Sequence, residues 1–232
     1  MSAVKSWAFP ILVAVIGGGL SWMAFQFDAP VRAALVEAQG PKWKKSSEKA
    51  FYSAVRRWGD WPPIMAGAAL LVVACRARGR IRWSRIVLAA MLASTIAGAL
   101  ANASRLTTGR TRPRESPAIT QGFYGPVHDG KLLIGVPAYN SFPSGHTATA
   151  FGFAAVVVLT SPAWGMLALA GAGLVGWASI ALGAHHPSDV MVSVTLSFLV
   201  AWGVVRFYPP DGSATGLAAL RRRLPGFSRT GL

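Results

Sequence analysis

The sequence predicts an all-α membrane protein whose six transmembrane helices form a bundle. Hydrophobic residues make up 53% of the 232 residues and charged residues only 13%, which is about half the charged fraction of an average soluble domain. Uncharged apolar runs recur along the chain at lengths close to that of a membrane span. The chain length accommodates about six such spans together with their connections.

The charge and cysteine content exclude several other classes of protein. Lys and Arg number 23 against 8 Asp and Glu, so the net charge is +15. A nucleic-acid-binding protein can be this basic, but it would carry more charges and less Ala, Val, Leu and Gly, so we expect no nucleic-acid partner. The apolar content excludes a disordered chain. The single cysteine, Cys75, excludes a disulfide scaffold.

The first predicted span is Trp7–Phe27, which contains no charged residue. A secretory signal peptide is the competing interpretation, but the apolar run is long and no small-residue cleavage site follows it. After this span, Asp28-Ala-Pro30 is typical of a helix start and Gly40 of a helix end. We therefore expect a separate short helix there.

A second short helix is predicted after Ser46 and Ser47, with apolar residues at helical spacing among basic ones. The apolar positions are Ala50, Phe51, Ala54, Val55 and Trp58, and the basic positions are Lys44, Lys45, Lys49, Arg56 and Arg57. This pattern is typical of a helix that lies in the membrane interface near anionic head groups. A solvated connector helix explains the pattern equally well.

Trp61–Cys75 and Ile86–Ala103 are the second and third predicted spans. The shorter one fits if flanking arginines snorkel and the bilayer thins. Arginines are dense in the short turn between the two spans, and this density favours the cytoplasmic side. They are Arg76, Arg78, Arg80, Arg82 and Arg85.

The remaining spans follow from one long uncharged segment and one shorter segment. Thr147–Ala184 would reach about 57 Å as a single helix, so Ser161-Pro162 near its middle predicts two antiparallel spans. Val190–Val205 is the sixth span. No charged residue falls inside these predicted spans, which argues against a transporter. We predict one membrane domain over residues 1–209 and a basic cytoplasmic tail over residues 210–232.

An arginine-rich segment, residues 105–114, follows the third span. Arg105 and Arg112 are seven residues apart, so on one helix they would share a face, and Pro113 would end that helix. Two converging guanidinium groups form a clamp for phosphate oxygens. A basic patch that touches lipid head groups fits the same residues equally well.

The fourth span opens with Pro143-Ser144-Gly145-His146. A helix N-terminus offers unpaired N–H groups and the positive end of a dipole, which together favour an anion. Gly145 permits close approach of the backbone, Ser144 adds a hydroxyl donor, and His146 would lie beside the anion. Ordinary helix-start chemistry is the alternative.

A third polar cluster, Gly183–Asp189, separates the fifth and sixth spans. His186 can cap the sixth helix with Pro187 as its first residue, and Asp189 can reach back toward His185. A carboxylate on one ring nitrogen fixes the tautomer and makes the other nitrogen a better nucleophile. A His–Asp pair that merely holds a helix start is the alternative. With all three clusters on one side, the residues predict metal-free phosphoryl transfer through a phosphohistidine.

The three clusters resemble the signature blocks of the type 2 phosphatidic acid phosphatase (PAP2) superfamily, over roughly residues 105–190. The matching patterns are Arg105-x6-Arg112-Pro113, Pro143-Ser144-Gly145-His146 and Gly183-x-His185-x3-Asp189. The six-span layout resembles the integral-membrane lipid phosphatases of that superfamily. Its haloperoxidase branch is disfavoured because those relatives are soluble.

The resemblance implies a role for each matching position. His185 would be the nucleophile, oriented by Asp189, and His146 the general acid on the leaving oxygen. Arg105, Arg112, Ser144 and the Gly145 backbone would hold the phosphoryl oxygens. No cofactor or metal is implied. A metallohydrolase built on His146, His185, His186 and Asp189 is a disfavoured alternative.

The resemblance also implies a substrate class and a location. Phosphatidic acid, phosphatidylglycerol phosphate, undecaprenyl pyrophosphate and lipid A phosphates are all allowed. We expect an envelope lipid phosphate or pyrophosphate such as undecaprenyl pyrophosphate or lipid A. The expected location is the bacterial inner membrane, with the site facing the periplasm. The connection Glu115–Phe142 is expected to border the site, with His128-Asp129 on the loop surface.

Two positions depart from the family pattern. Arg105 stands where Lys is usual, and Ser179 stands where the third block usually carries Arg, six residues before its histidine. Arg110 or Arg114 could substitute as auxiliary phosphate contacts. Otherwise, activity would be low or lost, which leaves a catalytically weak or inactive phospholipid-binding membrane protein as the alternative function.

Overall fold

The computed structural model describes residues 6–38, 43, 46–114, 120–210 and 212. These residues form seven α-helices, a two-stranded antiparallel hairpin and a short 3-10 helix at Pro137–Tyr139. The helices are α1 (Ala8–Ala38), α2 (Ser47–Arg57), α3 (Trp61–Ala77), α4 (Ile81–Thr108), α5 (Gly145–Thr160), α6 (Pro162–Ala181) and α7 (Pro187–Phe207). The hairpin strands are β1 (Val127–His128) and β2 (Lys131–Leu132). Apart from residues 210 and 212, the predicted basic tail lies outside the described residues.

Among the described residues, four helices are long and apolar enough to cross a membrane: α1, α4, α6 and α7. The pair α2 and α3 passes the same test together but is bent by 55°, so it counts as a fifth candidate. Helix α5 is apolar but only 16 residues long. The prediction of a mostly helical membrane protein is confirmed. Helix length and composition identify four or five spans rather than the six predicted.

Helix α1 is longer than predicted, because it continues through Asp28 and Pro30 to Ala38. The prediction of a new helix at Asp28 is wrong. Its carboxylate does not start a new helix there. It instead accepts hydrogen bonds from the backbone N–H (3.1 Å) and the hydroxyl (2.6 Å) of Ser188 in the first turn of α7. Packing of α1 on α7 holds the helix together across a proline that removes one of its hydrogen bonds. Asp28 therefore lies within α1, one residue beyond the predicted span Trp7–Phe27.

Helix α5 lies at the centre of the bundle, in contact with α4, α6 and α7. Small residues bring its backbone close to α4. A Cβ on Gly152 would lie 2.9 Å from the Ala93 carbonyl oxygen, and one on Gly98 would lie 2.6 Å from Thr149 Cγ2. This close packing holds α5 against the middle of α4.

Several predicted elements are present as expected. Helix α5 ends at Thr160 and α6 begins at Pro162, so the long uncharged segment is broken at Ser161 as predicted. Ser46 caps α2 through its side chain, which accepts a hydrogen bond from Lys49 N–H (3.1 Å). Helix α2 packs against α6, and this contact places its last turn beside the polar clusters.

Candidate active site

The three polar clusters meet in space at one end of the bundle. The last turn of α4, the first turn of α5 and the loop from α6 to α7 converge there, and the turn between α2 and α3 closes one side. The three clusters therefore lie together in space, which makes them one candidate site.

The first cluster does not form one helix. Helix α4 ends at Thr108, and Gly109 follows in the left-handed conformation (φ 54°). A Cβ there would overlap the Gly125 carbonyl oxygen, so glycine lets the chain turn away. The prediction that Arg105 and Arg112 share a helix face is wrong. Gly109, just past the last helical residue, was the signal for this helix end.

Arg105 and Arg112 reach the site from different elements, Arg105 from the last turn of α4 and Arg112 from the loop that follows. Arg105 Nε donates to the Pro143 carbonyl (2.9 Å), and its Nη2 is buried without a hydrogen-bond partner among the described residues. Arg112 lies in the loop after α4, where its backbone N–H donates to the Ala138 carbonyl (2.9 Å). The two guanidinium groups lie close enough to repel each other. This arrangement is suited to an anion.

The start of α5 has the geometry expected of an anion-binding turn. Ser144 is the fully buried N-cap, and its hydroxyl oxygen accepts a hydrogen bond from Thr147 Oγ1 (2.9 Å). Gly145 is the first helical residue, and a Cβ there would lie 2.9 Å from Arg105 Nη2. Glycine thus allows the guanidinium to lie directly against the helix N-terminus.

His185 is fully buried in the loop between α6 and α7. Its Nδ1 lies 2.7 Å from the Ser141 carbonyl oxygen, which as an acceptor requires the proton on Nδ1. Nε2 is then unprotonated, and it is buried without a hydrogen-bond partner among the described residues. Burial lowers the pKa of His185 to about 4, so the imidazole is neutral at pH 7.

Asp189 orients His185 less directly than predicted. Its carboxylate lies 3.7 Å from His185 Nδ1, which is beyond hydrogen-bond distance. It accepts hydrogen bonds from the Ser141 hydroxyl (2.6 Å) and the His186 backbone N–H (2.8 Å). Asp189 therefore fixes Ser141, whose carbonyl holds the histidine. The predicted cap of α7, with His186 at the N-cap and Pro187 at the first position, is confirmed.

Arg110 supports Asp189. Its guanidinium pairs with Asp189 and with Asp28, the latter at 2.5 Å, so both of its terminal nitrogens are held by carboxylates. Its side chain is also enclosed by three aromatic rings, those of Phe25, Phe123 and Phe142. The other predicted auxiliary, Arg114, is exposed and donates to the Leu182 carbonyl (3.3 Å). Arg110 is thus a structural ion-pair partner in this structure.

His146 has two partners that the sequence did not predict. Its Nε2 lies 2.7 Å from Asp60 Oδ1, and its Nδ1 lies 3.3 Å from Arg56 Nη2. Arg56 lies in the last turn of α2, and Asp60 lies in the following turn, at the start of α3. Arg56 was grouped with the basic residues of α2, and no spacing in the sequence connects it to His146. A cavity of about 140 Å³ lies beside this group, lined in part by Asp60, Arg105 and His146.

Ser179, at the position of the usual arginine, is fully buried on α6. Its hydroxyl donates to the Val175 carbonyl (2.8 Å) within the helix, and its own carbonyl accepts from the His185 N–H (3.2 Å). Its short side chain cannot reach a phosphate as an arginine would. Among the described residues, no group of three or more His, Cys, Asp or Glu side chains is placed to hold a metal ion.

Residues 83–212, more than half of the chain, match the family model of the PAP2 superfamily. The chain belongs to the PAP2 superfamily. The family predicted from the three motifs is therefore confirmed, and the match includes His146, His185 and Asp189.

Curated relatives of the chain are lipid A 1-phosphatases. The chain is 32% identical over 105 residues to the enzyme of Rhizobium johnstonii, covering 45% of this chain and 39% of that protein. It is 26% identical over 155 residues to the enzyme of Porphyromonas gingivalis, covering 65% of this chain and 30% of that protein. The chain thus spans well under half the length of these relatives. Their names agree with the predicted phosphatase class.

Two solved structures share the fold. One is a transmembrane PAP2-type phosphatidylglycerolphosphate phosphatase from Bacillus subtilis, with TM-score 0.55, 17% identity, and 94% of this chain and 98% of that chain covered. The other is LpxE of Aquifex aeolicus, with TM-score 0.51, 21% identity, and 78% and 96% covered. These two likenesses show the fold. The membrane-length helices and the bacterial relatives indicate a bacterial membrane protein.

Proposed function

We propose that the protein is an integral-membrane phosphatase that hydrolyses a lipid phosphate or pyrophosphate through a phosphohistidine on His185. The observation that supports this most is the state of His185. Its Nδ1–H is held by the Ser141 carbonyl, and its Nε2 is unprotonated, buried and without a hydrogen-bond partner among the described residues. Such a nitrogen, beside mutually repelling arginines, is suited to attack phosphorus.

The proposed reaction has two steps. Nε2 of His185 attacks phosphorus, the bond from phosphorus to the leaving oxygen breaks, and His146 gives that oxygen a proton. Water then attacks phosphorus while His146 takes a proton from it, the P–N bond breaks, and phosphate leaves with both His185 and His146 restored. Arg105, Arg112, Ser144 and the Gly145 N–H stabilise the charge on the phosphoryl oxygens, which is the main catalytic need in phosphoryl transfer.

The contact between Asp60 and His146 indicates which ring nitrogen of His146 donates the proton to the leaving oxygen. Asp60 accepts from Nε2 of His146 at 2.7 Å, and a carboxylate in this position stabilises the imidazolium form. In this structure Nδ1 accepts from Arg56 Nη2 and carries no proton. Once the substrate displaces Arg56, Nδ1 takes up a proton from solvent and delivers it to the leaving oxygen.

We propose a lipid A-type phosphate as the preferred substrate, ahead of undecaprenyl pyrophosphate and phosphatidate. The support is the similarity to lipid A 1-phosphatases in two Rhizobium species and in Porphyromonas gingivalis. We further propose six crossing segments, counting the bent pair α2–α3 and the short α5. In this topology the arginine turn between α3 and α4 is cytoplasmic and the site faces the periplasm. A tag at the carboxyl terminus should then be accessible only from the cytoplasm.

The test is phosphate release by the purified protein in detergent. Lipid A, undecaprenyl pyrophosphate, phosphatidic acid and phosphatidylglycerol phosphate are compared with a chelator present and no metal added. We expect release that His185→Ala abolishes and that the matched control His128→Ala retains. His128 is a suitable control because it lies exposed on the hairpin, 3.4 Å from Asp129.

Ser179 favours a second candidate, a lipid-binding protein with little or no turnover. It predicts binding of the same lipids with release no faster than in His185→Ala. Loss of release in the chelator would instead point to a metallohydrolase and contradict the proposed mechanism.

A further inference from the structure

The turn between α2 and α3 is docked tightly on the first turn of α5. A Cβ on Gly59 would lie 2.7 Å from the His146 carbonyl oxygen and 2.6 Å from Val175 Cγ1 on α6. The Gly59 carbonyl also accepts a hydrogen bond from the Thr149 hydroxyl. These contacts leave no room for a side chain, so the turn has a fixed position beside His146.

This docking directs Arg56, in the last turn of α2, into the site. Its Nη2 lies 3.3 Å from His146 Nδ1, and its Nε is buried without a hydrogen-bond partner among the described residues. The next residue, Arg57, is exposed and donates only within its own helix, to the Ser53 carbonyl (3.3 Å), among the bonds described. Neighbouring arginines on one helix therefore have different surroundings.

Among the residues that the structure describes, the guanidinium groups around Arg56 outnumber the carboxylates that act on them. The guanidinium of Arg56 is repelled by those of Arg112 and Arg114, and it in turn repels that of Arg105. In the described part of the chain, Asp60 attracts Arg56 and Asp189 attracts Arg105. Asp60 is hydrogen-bonded to His146, and Asp189 is paired with Arg110. A half-buried group of cations in this state is stabilised by a multivalent anion with several oxygens.

We propose that Arg56 is a phosphate-binding residue that contacts the phosphoryl oxygens during the reaction. It provides from α2 the cation that is absent at Ser179 on α6. This inference rests on the proposed function, because the phosphoryl group it binds is that of the lipid substrate.

The position of α2 explains how such a replacement works. Helix α2 packs on α6, and Gly59 approaches Val175, which lies one helical turn before Ser179. The cation thus reaches the site from α2, the helix that packs on α6. Arg110 cannot take this role, since two carboxylates already hold it.

The test compares Arg56→Ala and Arg56→Lys with the matched pair Arg57→Ala and Arg57→Lys in the full-length protein. Turnover of the best lipid substrate and the affinity for orthovanadate, a mimic of the transferring phosphoryl group, are both measured. Removing one charge donor from a transition state typically lowers kcat by about 10²–10³-fold. We expect Arg56→Ala to show that loss of kcat together with a weakened affinity for vanadate. Arg56→Lys should retain part of both the turnover and the affinity, and both Arg57 variants should have wild-type values.

The outcomes separate this inference from the proposed function. Unchanged vanadate affinity in Arg56→Ala overturns the inference, even if turnover falls. Affinity that depends on Arg56 without lipid turnover supports the inference and overturns the phosphatase proposal. No vanadate binding and no turnover in the wild type overturn both. If Arg56→Ala does not fold, as judged by its melting temperature, Arg56→Gln and Arg56→Lys decide by the same criteria.

Discussion

The buried ion-pair network around Arg110 should be the point at which the site is most sensitive to a single substitution. Arg110 is 6% exposed, and its partners Asp28 and Asp189 are 8% and 0% exposed. In Arg110→Met, two buried carboxylates lose their cation. Removing one partner of a buried ion pair costs about 3–5 kcal/mol, and the loss here should lie toward the upper part of that range because two charges are affected. The expected fall in melting temperature is about 6–20 °C.

The assay is thermal unfolding of the purified protein in one detergent at pH 7. Arg82→Met is the matched control, because Arg82 is exposed and its bond to the Thr160 carbonyl is long at 3.4 Å. Its change in stability should stay within about 0.5 kcal/mol. The double variant Arg110→Met with Asp28→Asn should be more stable than Arg110→Met alone, with a coupling of about 0.5–3 kcal/mol, because one uncompensated charge is gone. Equal melting temperatures for Arg110→Met and Arg82→Met, or no recovery in the double variant, would refute the reasoning.

Three further predictions concern the histidines and the α2–α3 turn. Because burial lowers the pKa of His185 to about 4, phosphorylation of His185 in a single turnover should persist at pH 5. The unfolded histidine titrates near its ordinary pKa of about 6.5, so stability should fall as the pH falls from about 6.5 to 4. His185→Gln should flatten that fall in melting temperature, and an unchanged slope would contradict the lowered pKa. Asp60→Asn should slow release from lipids about 10–100-fold, part of what a general acid supplies. The Asp60 carboxylate acts through His146, which protonates the leaving group. Hydrolysis of p-nitrophenyl phosphate, whose leaving group needs no proton, should therefore be slowed much less by Asp60→Asn. Equal slowing of the lipid and p-nitrophenyl phosphate reactions would contradict this role of Asp60. Gly59→Ala should cost about 1–3 kcal/mol through overpacking and reduce turnover, whereas Gly67→Ala on α3, where an added Cβ meets no atom within 4 Å, should not lower the melting temperature.

Local signals predicted the helix boundaries that depend on nearby residues. Ser161-Pro162 separates α5 from α6, and His186-Pro187 starts α7 with Asp189 completing the cap. These predictions succeed because capping and proline geometry involve only a few consecutive residues. The prediction at Asp28 fails for the complementary reason. Its carboxylate is used by Ser188 and Arg110, which are 160 and 82 residues away in the chain.

The sequence likewise predicted the position of some of the basic residues but not of others. Spacing placed Arg105 and Arg112 in the candidate site, although not on one helix. Nothing in the spacing distinguishes Arg56 from Arg57, yet only the former faces His146 in this structure. Packing of α2 against α6 decides which face of α2 is buried. The sequence of α2 alone does not predict that packing.

The sequence by itself determined that this is a helical membrane protein of the PAP2 superfamily, with His146, His185 and Asp189 as its candidate catalytic residues. Composition, apolar run length and short motifs carry that information within local windows. Only the tertiary structure decided that Ser141 lies between Asp189 and His185, that Arg110 is held by carboxylates, and that Asp60 and Arg56 contact His146. Those contacts join residues from distant parts of the chain, and they exist only once the helices have packed.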